Sequence, residues 1–370
     1  MERVDIVIIG AGVIGLAVAY SLSDRRRQII VVEKNPSFGQ ETSSRNSEVI
    51  HSGIYYPKDS LKAITCIRGK DLLYELCSKH NIAFRKLGKF LIALDRIEEE
   101  KIKSIYENAI NCGVDNLSFM DKKNFKKIEP NIKAETVIFS PDSGIIDSHS
   151  LMKFFFNSAK DKGADFIFST EVKAIEKNNA NFEIIVKEPD LSQFSFQAKY
   201  VVNCAGLWSD RVAELAGIDT KEFSYKIYYC KGQYFRISNP NKFNIDHLIY
   251  PPPTRVSLGI HITPDLGRGL RLGPDDKYID DIDYEINHED KTNFFESVRK
   301  FLPSLQLDDL IADTVGVRPK LQRSDEDFRD FIINEEKDKG LANFINCLGI
   351  ESPGLTACLS IAERVKSFIR

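Results

Sequence analysis

The sequence contains no long hydrophobic run, no marked excess of one charge and no repeat. Its longest apolar stretches have the length of strands, so no membrane-spanning helix is expected, although peripheral contact with a membrane stays open. Lysine and arginine total 51 against 54 aspartate and glutamate residues, a net charge of −3. That balance gives no electrostatic field for holding nucleic acid, so nucleic acid is not an expected partner.

Closely spaced cysteines are also missing. The seven cysteines are dispersed, with no Cys-x-x-Cys motif and no neighbouring histidine cluster. Such a set is typical of reduced, buried thiols rather than of disulfides or a metal site. The N-terminus also lacks a basic segment followed by a cleavage site, so we expect a soluble, unprocessed, cytoplasmic protein that holds no metal.

Periodicity at the start of the chain predicts a Rossmann-type unit. Residues 5–10 and 28–33 are apolar runs of strand length, and residues 13–23 between them have helical spacing. A strand, a helix and a second strand imply parallel strands joined by a right-handed crossover.

The middle of the chain changes character, because residues 84–94, 225–237, 247–250, 255–263 and 269–272 alternate as antiparallel strands do. We therefore predict an α/β protein in which a Rossmann-type domain is interleaved with an α+β substrate domain built on a mainly antiparallel sheet. The predicted dinucleotide-binding domain comprises residues 1–83, 141–222 and 302–370, and the predicted substrate domain comprises residues 84–140 and 223–301.

Gly10, Gly12 and Gly15 form a Gly-x-Gly-x-x-Gly fingerprint between the first strand and the first helix. The first glycine permits the tight turn, the second lets the backbone approach a pyrophosphate, and the third lets helix and strand pack closely. The helix N-terminus offers amide donors to the phosphates. Glu33 ends the second strand, where its carboxylate can accept hydrogen bonds from ribose hydroxyls. These features predict a dinucleotide site, the alternative being a tight turn that binds nothing.

The segment that follows, TSSRNSEVIHSG (42–53), is small and polar. Such a segment can run along a flavin and supply amides and hydroxyls to it, but on composition alone an ordinary polar loop explains it equally well. Only one glycine fingerprint is present, which disfavours a flavoprotein that carries a second, NAD(P)H-binding Rossmann domain.

Motifs along essentially the whole chain resemble L-2-hydroxyglutarate dehydrogenases and their relatives in the glycine oxidase/D-amino-acid oxidase superfamily. They are TSSRNSEVIHSGIYY (42–56), KGQYF (231–235), LIYP (248–251) with LGIHIT (258–263), and GIESPGLT (349–356). The chain departs from the better-known members at RLGPDD (271–276), and residues 277–300 are compact. Both departures lie in the predicted substrate domain, so they bear on the exact substrate.

The resemblance implies that the cofactor is FAD, held in a glutathione-reductase-like domain, and that a carbon bearing OH or NH transfers a hydride to flavin N5. It also implies that the last glycine turn, residues 349–354, lies at the N1/C2 edge of the flavin, where the dipole of the terminal helix favours reduction. Motifs and resemblance together predict cofactor contacts from Gly10, Gly12, Val13, Ile14, Gly15, Glu33, Lys34, Thr42, Ser43, Ser44, Asn46, Ser47, Val172, Ala205, Gly206, Trp208, Gly316, Arg318, Gly349, Ser352, Gly354, Leu355 and Thr356.

Two histidines are candidates for the catalytic base, because an imidazole titrates near neutral pH. His51 lies beside the flavin by resemblance; covalent attachment of the flavin through it and a purely packed role are the alternatives. His261 lies on a predicted alternating strand, and its alternative is a half-buried sheet histidine. Tyr55 and Tyr56 are candidates to close the same pocket.

Arg318 is the candidate for binding a substrate carboxylate. It belongs to a Gly-x-Arg-Pro segment that resembles the one in glycine oxidase-type enzymes, and a guanidinium grips a carboxylate through two charge-assisted hydrogen bonds. A solvent-facing arginine is the alternative. The sequence gives no ranking among the candidates for a second carboxylate, which are Lys231, Tyr234, Arg255, Arg271 and Lys320.

We predict an FAD-dependent enzyme that oxidises a small 2-hydroxy acid, with L-2-hydroxyglutarate favoured, to the 2-oxo acid. One alternative is an amine or amino-acid oxidase acting on glycine, sarcosine or a D-amino acid, and another is a non-catalytic flavin-binding scaffold. The electron acceptor stays open among oxygen, a quinone and a carrier protein, as do stereochemistry, oligomeric state and covalency of the flavin.

Overall fold

The computed structural model describes residues 3–254 and 258–370. Its helices are α1 (Val13–Leu22), α2 (Leu61–His80), α3 (Arg96–Asn111), α4 (Lys122–Ile128), α5 (Ser148–Asp161), α6 (Ser209–Leu215), α7 (Lys291–Val298) and α8 (Gly354–Phe368). Its strands are β1 (Arg3–Ile9), β2 (Ile29–Val32), β3 (Val49–Ile50), β4 (Phe84–Arg85), β5 (Lys89–Ala93), β6 (Ser118–Met120), β7 (Thr136–Ser140), β8 (Gly144–Ile146), β9 (Ala164–Ile167), β10 (Glu171–Asn178), β11 (Asn181–Lys187), β12 (Gln193–Asn203), β13 (Tyr228–Ile237), β14 (Leu248–Tyr250), β15 (Ile262–Pro264), β16 (Leu270–Leu272), β17 (Lys277–Ile279), β18 (Leu310–Lys320), β19 (Ile332–Glu335) and β20 (Phe344–Leu348).

The first sheet carries the Rossmann-type unit. Its path is β10-β11-β12-β1-β2-β9, with β20 added beside β12 and β19 beside β20. The neighbours β12, β1, β2 and β9 run parallel, as do β12 and β20. Because side chains alternate along a strand, Ile6 and Ile8 of β1 pack with α1 and α8, whereas Val7 and Ile9 enter the core on the other face.

The second sheet is mainly antiparallel. Its path is β17-β13-β16-β15-β14-β5-β7-β6, and β18 pairs with β13. The pair β14–β5 is parallel, while the other pairs in this sheet are antiparallel. A small third sheet joins β3, β8 and β4. The predicted α/β class is therefore confirmed.

Two parts of the second sheet differ from the sequence prediction. Strand β18 was not predicted, because Asp313, Gly316 and Pro319 interrupt its apolar pattern. It pairs with β13 from Leu310 to Lys320, so it extends the second sheet even though residues 302–370 were assigned to the other domain. The predicted strand 255–263 is reduced to β15, which begins at Ile262; residues 255–257 lie outside the described part of the chain.

The sequence predicts reduced, buried thiols and no membrane-spanning helix. All seven cysteines are free, and six of them are buried. Within residues 3–254 and 258–370, no helix combines the length and the apolar character needed to cross a bilayer.

Candidate active site

A large cavity of about 630 Å³ is lined by residues from both of the large sheets. Both glycine turns line it: Gly10 and Gly12 come from the turn after β1, and Gly354 begins α8. The volume lies in the range usual for small-molecule and cofactor sites. Segments from opposite ends of the chain therefore enclose one site.

The first glycine turn is shaped by very close backbone packing. Gly10 has φ +102°, and a Cβ there would lie 2.5 Å from the carbonyl oxygen of Cys204. A Cβ on Gly15 would lie 1.9 Å from the carbonyl oxygen of Gly10, so α1 can approach β1 only with glycine at that position. Gly12 lines the cavity, and its backbone faces the open space.

Acidic and basic side chains gather where β2 ends. Glu33 is buried and accepts backbone hydrogen bonds from Ala11 N (2.7 Å) and Asn35 N (2.8 Å). Lys34 Nζ lies 3.9 Å from the ring centroid of Trp208 and 2.8 Å from a carboxylate oxygen of Glu41. These groups lie at one end of the cavity, where the sequence predicts the adenosine part of a dinucleotide.

The polar segment 42–47 lies along the cavity and is fixed on both sides. Ser43 Oγ accepts a hydrogen bond from Val13 N at the start of α1 (3.0 Å), and Thr42 Oγ1 donates to the carbonyl oxygen of Val317 on β18 (2.8 Å). Asn46 Nδ2 donates to the carbonyl oxygen of Ser43 (2.8 Å). The segment thus bridges the first glycine turn and the second sheet.

The last glycine turn and the start of α8 contact the residues that follow this segment, Val49 and His51. Thr356 Oγ1 accepts a hydrogen bond from His51 N (3.0 Å) and donates to the carbonyl oxygen of Val49 (3.2 Å). Ser352 Oγ lies 3.3 Å from His51 Nε2. A Cβ on Gly354 would lie 4.0 Å from Ile14 Cδ1 of the first turn.

Most of the predicted cofactor residues line the cavity. They are Gly10, Gly12, Val13, Ile14, Glu33, Lys34, Thr42, Ser43, Asn46, Ser47, Val172, Ala205, Gly206, Trp208, Gly316, Arg318, Ser352, Gly354, Leu355 and Thr356. Three others do not: Gly15 packs on Gly10, Ser44 Oγ donates to the carbonyl oxygen of Glu41, and Gly349 packs against Leu321. Direct contact between these three residues and the cofactor stays a prediction.

His261 is buried, lines the cavity and stacks on Tyr250, with ring centroids 3.7 Å apart. Its Nδ1 lies 2.9 Å from the carbonyl oxygen of Gly259. Because a carbonyl oxygen only accepts, Nδ1 carries the proton and Nε2 carries the lone pair. Burial lowers the pKa of His261 to about 3. The ring is therefore neutral and able to accept a proton at Nε2.

His51 is also buried and lines the cavity. Burial, followed by the charge of Lys89, holds the pKa of its imidazole well below the usual value. Its Nδ1 has no hydrogen-bond partner among the described residues, while Nε2 faces Ser352. The structure thus brings both predicted histidines to one cavity in the neutral state.

Arg318 projects from β18 into a ring of backbone acceptors. Its Nη2 donates to the carbonyl oxygens of Asp275 (2.6 Å) and Lys231 (3.2 Å), and its Nε donates to the carbonyl oxygen of Cys230 (3.4 Å). Among residues 3–254 and 258–370 it forms no ion pair. The guanidinium is therefore held by backbone acceptors, and Glu351 and Asp276 act on its charge without forming an ion pair with it.

The candidate residues for binding a second carboxylate differ in their ion-pair partners and in whether they line the cavity. Lys231 is paired with Asp283, and Arg271 is paired with Asp313 and does not line the cavity. Tyr234 and Lys320 line the cavity, as does Tyr55. Arg255 lies outside the described residues.

A buried ion network that the sequence did not predict borders the cavity. Glu351, in the last glycine turn, pairs with Lys62 Nζ of α2 (2.9 Å) and Lys320 Nζ of β18 (3.2 Å). Although burial acts to raise it, the two ammonium groups lower the pKa of Glu351 to about 2. The network joins the last glycine turn, α2 and the second sheet. No sequence motif predicts it, because the three residues are far apart in the chain.

The fold and the cavity define a dinucleotide-dependent oxidoreductase. Both glycine turns and the polar segment 42–47 line the cavity, as do His51 and His261, whose Nδ1 and Nε2 atoms, respectively, are buried without a protein partner among the described residues. The residues present therefore fit a long, polar, ring-bearing cofactor. A family model described as FAD dependent oxidoreductase (DAO) matches residues 5–367. The chain belongs to this family and is an FAD-dependent oxidoreductase.

Relatives and solved structures agree with this membership. The chain is 35% identical to an L-2-hydroxyglutarate dehydrogenase, mitochondrial, of Arabidopsis thaliana, over 100% of this chain and 84% of the relative. It is 30% identical to a glycerol 3-phosphate dehydrogenase of Caloramator mitchellensis, over 99% and 74%. The L-alpha-glycerophosphate oxidase of Mycoplasma pneumoniae with FAD bound is similar with a TM-score of 0.88 and 25% identity, over 100% and 95%.

The ion network around Glu351 yields a stability prediction. Glu351→Gln leaves two buried ammonium groups without a carboxylate, so we expect it to lower the free energy of unfolding by about 3–5 kcal/mol at neutral pH. A carboxylate with a depressed pKa stabilises the fold above its unfolded value of 4.5, and this contribution is lost as pH falls toward about 2. The difference between wild type and variant should therefore shrink between these two values.

Urea unfolding at about pH 7 and about pH 3.5 measures this difference. The matched control is Glu363→Gln, because Glu363 forms an exposed ion pair with Arg68; we expect it to change stability by less than about 0.5 kcal/mol. A loss in Glu351→Gln that is the same at both pH values would contradict the assignment.

Proposed function

We propose that the protein oxidises a small 2-hydroxy acid to the 2-oxo acid, with L-2-hydroxyglutarate as the favoured substrate. The observation that carries the proposal is the placement of the Arg318 guanidinium, which forms no ion pair within the described residues, in the same cavity as two neutral imidazoles, His51 and His261. Resemblance over the whole chain to the Arabidopsis enzyme supports the choice of L-2-hydroxyglutarate.

In this proposal Arg318 binds the C1 carboxylate of the substrate. Three backbone carbonyl oxygens hold the guanidinium in place, so little conformational entropy is lost when a carboxylate docks against it. Burial strengthens the attraction, because the charges meet away from water.

The hydroxyl proton of the substrate passes to one of the two imidazoles as the C–H bond is broken. His261 offers a lone pair on Nε2, because its Nδ1 proton is committed to the carbonyl oxygen of Gly259. His51 offers Nδ1, the atom without a protein partner. FAD, when bound between the two glycine turns, supplies the ring that accepts the hydride.

A second candidate substrate is glycerol 3-phosphate. Its support is the 30% identity to the Caloramator dehydrogenase of that name over 99% of this chain. The same arginine and imidazoles would serve, because this substrate also combines an anionic group with a secondary hydroxyl. Amine or amino-acid oxidation is a third candidate reaction, in which the substrate nitrogen enters already deprotonated.

We also propose that the protein is located in the cytoplasm.

Anaerobic bleaching of the bound flavin tests the substrate directly. We expect L-2-hydroxyglutarate to bleach the yellow holoenzyme faster than D-2-hydroxyglutarate, lactate, glycerol 3-phosphate, glycine, sarcosine or D-alanine. Bleaching by glycerol 3-phosphate or by an amino acid alone would replace the proposed substrate. Acid precipitation of the same sample shows whether the flavin leaves the protein, which decides between tight binding and covalent attachment through His51.

His51→Asn tests the proton acceptor. If His51 is the base, flavin reduction should slow by on the order of 10²-fold or more, with FAD still bound, because an amide does not accept the proton. Stopped-flow measurement of the reductive half-reaction gives the rate, and His149→Asn, at an exposed histidine, is the control. Unchanged kinetics would remove His51 and leave His261.

Arg318→Lys tests the carboxylate site. Lysine keeps the charge but loses the planar fork, so the Michaelis constant should rise by roughly 10-fold or more. Steady-state kinetics at constant pH measure it, with Arg236→Lys, an exposed arginine on β13, as the control. A Michaelis constant equal to that of the wild type would disqualify Arg318 as the anion site.

A further inference from the structure

Buried polar atoms without partners collect at the end of the cavity that holds the two histidines. Among the described residues, eight buried side-chain nitrogen or oxygen atoms lack a hydrogen-bond partner. Five of them belong to one group, which we call the Lys89 cluster: His51, Tyr55, Lys89, Tyr250 and His261. Native interiors leave few such atoms, so their concentration in one place indicates a functional arrangement.

Lys89 is the unusual member of the cluster. It begins β5, its side chain is fully buried, and its Nζ forms neither a hydrogen bond nor an ion pair within the described residues. The ammonium instead faces two aromatic rings, at 4.0 Å from the centroid of Tyr250 and 5.1 Å from that of Tyr55. Cation–π attraction offsets only part of the cost of burying a charge.

Tyr250 separates Lys89 from His261. The imidazole of His261 stacks on one face of the Tyr250 ring, with centroids 3.7 Å apart, so the ammonium must occupy the other face. The Lys89 ammonium and the His261 imidazole are therefore less than about 8 Å apart, and the ring of Tyr250 rather than water lies between them. At that distance a positive charge opposes protonation of the imidazole appreciably.

The electrostatics of the three groups agree with this geometry. Burial lowers the pKa of Lys89 to about 7, and the charge of Lys89 contributes, after burial, to the low pKa of both His51 and His261. As pH falls below neutral, Lys89 takes up a proton before either imidazole does.

We propose that Lys89 is a positioning residue for the proton acceptor: its buried ammonium, held against the far face of Tyr250, opposes the gain of positive charge by His261 and so helps to keep that imidazole a neutral proton acceptor. The proposal rests on the function proposed above for the role of the imidazoles, but not on the identity of the substrate.

Other titratable and charged groups lie near the imidazoles or near Lys89. They are Tyr55 beside Lys89, Cys66 beside His51, Lys70 near Cys66, Tyr250 of β14 and Arg318 of β18. Lys70 is paired with Asp142, and the buried tyrosines and Cys66 keep their protons, because burial raises their pKa values. Arg318 acts on His261 more weakly than Lys89 does. Lys89 is thus the charge that acts on both rings.

The test is a histidine titration by nuclear magnetic resonance on the purified holoenzyme labelled with 15N-histidine. The chain has six histidines, so the His51 and His261 signals can be assigned from His→Asn variants. In Lys89→Met we expect His261 to take up a proton at a pH higher by about one unit than in the wild type, and His51 to move in the same direction. The acid limb of the flavin-reduction rate should move in the same direction.

Two further variants give the comparison its controls. Lys89→Arg keeps the charge and should titrate as the wild type does. Lys70→Met removes a lysine whose charge is already paired with Asp142 and should leave both histidines unchanged. Replacing an unpaired buried charge with an apolar side chain of similar length does not threaten the fold, and the retained yellow colour and far-ultraviolet circular dichroism verify this.

Histidine titrations and an acid limb that coincide in Lys89→Met and wild type would overturn the proposal. The same result in Lys70→Met as in Lys89→Met would also overturn it, because the effect would then not depend on the unpaired charge. Failure of every hydroxy acid to bleach the flavin would remove the proposed substrate, yet the imidazole titrations would still decide the role of Lys89.

Discussion

The site depends on the close approach of two glycine turns that are more than three hundred residues apart in the chain. Gly10 and Gly354 face the same cavity, and Thr356 joins the two regions by accepting a hydrogen bond from the backbone of His51. The approach is possible because α1 and α8 pack on the same face of the first sheet, where Gly15 lets α1 lie against β1. The packing that positions a cofactor therefore also positions the candidate base.

Charge is distributed unevenly around this cavity. Glu351 forms ion pairs with two buried lysines, whereas neither Arg318 nor Lys89 forms an ion pair within the described residues. Backbone carbonyl oxygens stabilise Arg318, and aromatic faces stabilise Lys89. A buried cation without a counter-ion is costly unless something else in the working state interacts with it. In the proposed function an anionic substrate supplies that interaction for Arg318, and the proposed repulsion of protons from the imidazoles gives Lys89 a role that needs no counter-ion.

The sequence predicts the dinucleotide half better than the substrate half, for a physical reason. Glycine spacing and a terminal acid are local signals, so Gly10, Gly12 and Glu33 are recognisable in one stretch of chain. Strand β18 is not predicted from the sequence because it is stabilised by pairing with β13 and has no regular alternation of apolar and polar residues. The burial of Lys89 is not predictable from the sequence for a similar reason. A lysine at the start of an apolar strand is typical of a solvent-exposed strand end, and it is tertiary packing, including that of Tyr250, that encloses this side chain.

The two sheets also divide the chemistry. The first sheet and its helices hold the dinucleotide turn and Ser352, and His51 follows β3 of the small third sheet. Arg318 and His261 come with the second sheet and its loops. Substitutions in the second sheet can thus change which anion is bound without disturbing the backbone cradle of the first. Under the proposed function, the choice of anion depends on the partners around Arg318, and those partners come together only through packing in three dimensions.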